Sequence, residues 1–61
     1  MTGPQFRAVR ERAGLSQAQA GRVLGVAAQS VYRWERGVRR IPSDAADEIR
    51  RLARKSSKEP S

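Results

Sequence analysis

A chain of 61 residues carrying a formal charge of +7 has room for one domain and a surface that attracts polyanions. At this length folding buries only about 60% of the extended surface, so a single core rarely supplies more than about 3–5 kcal/mol of net stability and leaves little room for a deep reaction cleft. With no Cys and no His, the chain lacks disulfide staples, the usual ligands of a zinc centre, and the thiol and imidazole groups most used in catalysis.

Thr2 and Gln5 stand at the spacing of a capping box, and Pro4 lies in the first turn, where its missing N–H does no harm. Phe6, Val9, Ala13 and the stem of Arg10 then share one helical face, which predicts a first helix over Gly3 to Ala13. Gly14 offers the left-handed stop, and Leu15 folds back over the core. Ser16 and Gln19 repeat the capping-box spacing and start a second helix from Gln17 to Leu24, with Ala20, Gly21 and Leu24 facing inward. Two of those three are small, so another helix can approach closely, although Gly21 costs about 1 kcal/mol of helix propensity against Ala.

Gly25 ends the second helix, Val26 returns to the core, and a third helix is expected over Ala28 to Arg36. Val31 and Trp34 form its inward pair, Gln29, Ser30, Tyr32 and Arg33 lie on its sides and outer face, and Gly37 stops it. Two short helices joined by a turn containing Gly25 match the helix-turn-helix signature, whose second helix enters the DNA major groove. Val38 to Pro42 reads as a basic loop. Ser43 or Asp44 is expected to cap a fourth helix, with Asp47 at capping-box spacing from Asp44. Ala45, Ile49, Leu52 and Ala53 form the apolar stripe of that helix, Arg50, Arg51, Arg54 and Lys55 crowd its C-terminal half, and residues 56–61 read as a tail after a domain over 1–55.

The residues Leu15-Ser16-Gln17 through Leu24-Gly25-Val26, then Val31, Trp34-Glu35-Arg36-Gly37 and Pro42, resemble the Cro/C1-type (XRE) helix-turn-helix family of phage repressors and bacterial regulators. The resemblance spans about Phe6 to Leu52 and implies an all-α, four-helix repressor-like domain that binds double-stranded DNA, commonly as a homodimer. It places Gln17 where relatives bind a phosphate and brace the reading helix. Ala28, Gln29 and Arg33 fall where relatives set base-contacting side chains, and Arg36 to Arg40 with Ser43 fall where the family loop grips the backbone. Arg10 and Glu35 correspond to a pair that commonly forms an internal salt bridge in relatives. The sequence departs from the family pattern at Ala27, where Ser or Thr usually caps the third helix, and at Ala20 and Gly21, where many relatives have Leu and then Ala. Well-studied phage relatives often add a fifth helix that helps form the dimer; here only the tail occupies that stretch.

The chemistry of the outer face supports the same partner without the resemblance. Gln29 offers a paired amide donor and acceptor suited to adenine N6 and N7, or remains a solvated surface amide. Arg33, one turn on, can fork onto guanine O6 and N7 or fall to a phosphate, and Ala28 can pack against a thymine methyl or leave room for its neighbours. Ser30 reaches a base, a phosphate or its own helix backbone, and Tyr32 stacks on sugar or packs beside the second helix. Arg36, Arg39 and Arg40 can neutralise phosphates, and eleven of the thirteen basic residues are Arg, whose fork matches phosphate oxygens. The run from Arg50 to Lys55 suits flanking DNA or a solvated helix face equally. Trp34, spaced three residues from Val31, belongs to the core.

Two other functions remain open on these residues: a protein-interaction module such as an antitoxin on the same fold, and a charge-driven, non-specific binder of nucleic acid including RNA. An enzyme is not expected, because Asp44, Asp47 and Glu48 are explained by first-turn capping and no glycine loop cradles a phosphate. The expectation is of no cofactor, no metal and no small-molecule ligand. No stretch approaches 18 apolar residues, and neither a signal core nor a lipidation motif is present, so the expected place is the cytoplasm, on DNA.

Overall fold

The computed structural model describes residues 1–56 and is built from four helices, α1 (Gly3–Arg12), α2 (Gln17–Leu24), α3 (Ala28–Arg36) and α4 (Ser43–Ser56), with no strand among the described residues. Both expected capping boxes form. The Thr2 and Ser16 hydroxyls accept from the backbone N–H of Gln5 and Gln19 at 3.2 and 3.0 Å, and the Gln5 and Gln19 side-chain carbonyls accept from the cap N–H, each at 2.9 Å. Gly25 and Gly37 close α2 and α3 at φ of 77° and 80°, a region that a side chain rarely enters. α1 ends at Arg12, one residue before the expected Ala13, which takes the cap position.

The start of α4 differs from expectation. Neither Ser43 nor Asp44 caps it: Ser43 is already the first helical residue, and the Pro42 carbonyl accepts from the Ala46 N–H at 3.0 Å. Pro42 suits that entry because its fixed φ pre-orders the turn and the lost N–H has no helical partner at a terminus. Asp47, expected to complete a box with Asp44, instead lies 3.7 Å from Arg50. α4 also continues through Ser56, and the remainder of the expected tail, residues 57–61, lies outside the described residues.

Phe6, Ala20, Val31, Trp34, Ala45 and Ile49 form one buried cluster, flanked by half-buried Val9, Leu15, Leu24, Val26, Ile41 and Leu52. Phe6, Val31 and Ile49 are fully buried, each contributing about 1.5–3 kcal/mol relative to an exposed position. Trp34 meets the Phe6 ring edge to face at 5.6 Å between centroids, so its bulk joins α1 to α3. On α4 the stripe includes buried Ala46 as well as Ala45, Ile49 and Ala53.

Two buried glycines fix the approach of α3. A methyl group added at Gly21 would lie 2.6 Å from the Val26 carbonyl oxygen and 3.1 Å from the Ala28 nitrogen. The space that Gly21 leaves is thus filled by the turn and the first residue of α3 rather than by a distant helix, and the Val26 N–H donates to the Gly21 carbonyl at 2.8 Å. At Gly3, an added methyl would collide with the Glu35 carbonyl oxygen and sit 2.8 Å from that of Trp34. The first turn of α1 therefore rests on the backbone near the end of α3, a contact that local spacing did not reveal. None of the described helices is long and apolar enough to cross a membrane.

Candidate nucleic-acid interface

α3 divides into an inward and an outward face. Val31 and Trp34 are buried, whereas Ala28, Gln29, Arg33 and Arg36 are exposed and Ser30 is half-buried. Gln29, Arg33 and Arg36 follow the i, i+4, i+7 progression, so they line one side of the helix. The only acid in α3 is Glu35, and its side chain is 7% exposed, turned away from that side. The segment 37–42 that follows has no acid and carries Arg39 and Arg40, both exposed. The outer face of α3 and its exit loop thus present four arginines uninterrupted by a carboxylate.

The inner end of α3 is held by a polar network. Arg10 Nε donates to Glu35 Oε2 at 2.6 Å, and Arg10 Nη2 donates to Glu35 Oε1 at 3.2 Å. The third guanidinium nitrogen, Nη1, donates to the Leu15 carbonyl at 2.9 Å, and Gln17 Nε2 donates to Glu35 Oε1 at 3.2 Å. One carboxylate on α3 is consequently tied to α1 and to the first residue of α2, while the same arginine fixes the link between them. The two-pronged arginine–carboxylate pair restricts orientation more than a single contact would.

Gln17, expected at a phosphate, sits at the start of α2, where one of the two N–H donors of its side-chain amide goes to Glu35. Its residue is half-buried and lines a cleft with Arg7, Arg10, Tyr32, Glu35 and Arg36. Of the expected phosphate residues, the structure brings Gln17 and Arg36 together in that cleft and leaves outside it Arg39 and Arg40, on the α3–α4 segment, and Ser43, at the start of α4. The start of α2 lies beside it, where unpaired backbone N–H groups and the positive helix end favour an anion.

Arg7 is new to this surface, and Tyr32, open in the sequence between stacking on sugar and packing beside the second helix, lines the cleft with it. Arg7, exposed and 3.1 Å from Glu11, lines the cleft from α1. Tyr32 receives a hydrogen bond from Arg36 Nη1 at 3.2 Å, and the guanidinium carbon stands 5.6 Å from the ring centroid. The i, i+4 spacing of Tyr32 and Arg36 is the signal that could have found this pair, because those positions meet on a helix. The guanidinium and amide groups that line the cleft suit recognition of an anion.

A family model described as a helix-turn-helix domain matches residues 3–55. The chain belongs to that family. The match takes in all of α1, α2 and α3 and nearly all of α4. Membership points to DNA as the partner of this helix-turn-helix domain, in keeping with the acid-free outer face of α3. Neither the curated proteins nor the solved structures yield a significant match.

Proposed function

We propose that this helix-turn-helix domain binds double-stranded DNA sequence-specifically and regulates transcription as a Cro/C1-type repressor, by occupying its site. α3 enters the major groove. Gln29 pairs with adenine N6 and N7, Arg33 forks onto guanine O6 and N7, and Ala28 and Ser30 complete the read-out, each bidentate pair discriminating by about 1–3 kcal/mol. Gln17, Arg36, Arg39, Arg40 and Ser43 grip phosphates, which sets register and adds salt-sensitive affinity without reading sequence.

The observation that carries this reading is the division of α3, with Val31, Trp34 and Glu35 anchored inward and Gln29 and Arg33 exposed one turn apart. One such helix reads only a few base pairs. Useful specificity therefore calls for two copies on a pseudo-palindrome, with reading helices about 34–36 Å apart.

Selection of bound sequences from a random duplex library tests the proposal. Wild type is expected to enrich a two-fold motif and to prefer it over random duplex by about 10³-fold or more. Gln29→Ala and Arg33→Ala are each expected to relax selection at different positions of the half-site. Recovery of the same motif at the same relative affinities by both variants overturns the base assignments, and equal binding of structured RNA and random duplex overturns sequence-specific recognition.

A further inference from the structure

Three arginines that the reading surface does not use meet on another side of the molecule. Val9 and Ala53 floor a groove between α1 and α4, and Arg12, Arg50 and Arg54 line it. Helix geometry separates this groove from α3. Arg10 turns toward Glu35 of α3, and Arg12, two residues further along, is rotated by about 200° around α1. Arg50 and Arg54 sit one turn apart on α4, side by side with Val9 and Arg12.

The charge in the groove is poorly compensated. Arg50 lies 3.7 Å from Asp47, with both side chains more than half exposed, a geometry that contributes little. Glu11 is engaged by Arg7, and Glu48 lies 3.8 Å from Arg51. Among the described residues no carboxylate lies within 4.0 Å of Arg12 or Arg54. The apolar floor supports arginine stems and leaves their forks free for phosphate oxygens. Arg50 and Arg54 are separated by about 6 Å along the α4 axis, within the rise of two base pairs at about 3.4 Å each along the duplex axis, so both can reach phosphates of one strand.

We infer that the α1–α4 groove holds the phosphate backbone of a second DNA duplex, so that the domain tethers one duplex to another. A duplex seated on α3 lies across α1 from this groove, which is why the occupant is a separate segment rather than the flank of the first. The contact is indifferent to sequence, since it consists of charge and guanidinium forks alone.

The test uses the full chain, an immobilised duplex carrying the selected site, and a labelled duplex of unrelated sequence. Wild type is expected to retain the labelled duplex, and three neutralised phosphates make that retention fall about 40-fold between 50 and 200 mM salt. The variant Arg12→Ala/Arg50→Ala/Arg54→Ala is expected to lose retention while melting normally and binding the first duplex within about twofold, since the reading face is untouched. The inference is overturned if wild type retains no second duplex, if the triple variant retains it equally, if the variant loses the first duplex in parallel, or if polyglutamate is captured as tightly as DNA. Bridging through the reading helices of a dimer survives the triple substitution and so counts against it. Loss of retention in the triple variant of a protein that shows no sequence preference sinks the reading of α3 and leaves the groove standing.

Discussion

Replacing Arg10 by Met tests what holds α3. The Arg10 and Glu35 side chains are 10% and 7% exposed, and the Glu35 oxygens accept three N–H groups, two of them from Arg10. After Arg10→Met, the carboxylate keeps only Gln17, and the Leu15 carbonyl loses its side-chain donor. Breaking a buried pair from one side costs about 3–5 kcal/mol, comparable with the entire net stability of about 3–5 kcal/mol expected of a domain this small. The single variant is therefore expected to be largely unfolded at 25 °C. Adding Glu35→Leu removes the stranded charge, and such apolar replacements of a buried pair range from neutral to stabilising by about 1–4 kcal/mol. The double variant should refold. Far-UV circular dichroism followed through urea and thermal unfolding at pH 7 measures both. A single variant that melts within about 4–8 °C of wild type has lost only about 1 kcal/mol, the behaviour of a solvated pair, and refutes the argument. So does a double variant no more stable than the single one.

Two further substitutions probe how α3 is seated. Ala27 caps α3 with an extended backbone, φ −72° and ψ 151°, close to that of Ser16, but without a side-chain hydrogen bond; Ala27→Ser should add about 1 kcal/mol and raise the melting temperature by about 4–8 °C, and an unchanged melt means that the N–H groups are already satisfied. Gly3→Ala should destabilise by about 1–3 kcal/mol through collision with the Glu35 carbonyl, despite Ala being the better helix former; a higher melting temperature would show that α1 does not rest on α3.

The fold was legible where its causes are local. Capping boxes at Thr2–Gln5 and Ser16–Gln19, and glycines at the ends of α2 and α3, mark helix boundaries through contacts within four residues. The α4 start was misplaced because Ser43 and Asp44 look like caps in isolation, whereas Pro42 occupies the entry. Gly3 carried no local signal at all. Its lack of a side chain matters only because the backbone of Trp34 and Glu35, more than 30 residues away in sequence, lies against it.

The candidate site follows the same rule and adds a consequence for α3 itself. The outward face was legible from helical spacing, but Arg10 and Glu35, 25 residues apart, were linked only through resemblance, and the Gln17 and Leu15 contacts depend on how α2 enters. These long-range restraints fall on one half of the helix. Trp34 packs on Phe6, Glu35 holds Arg10 and Gln17, and Gly3 lies against the backbone there, whereas Ala27 supplies no side-chain cap at the other end. Arg33 therefore projects from the half braced by α1, and Gln29 from the first turn, which rests on Gly21 through Val26, Ala27 and Ala28 and is anchored by buried Val31. The uncapped first turn leaves Gln29 more freedom to adjust than Arg33, so hydrogen-exchange protection should rise along α3 from Gln29 toward Glu35.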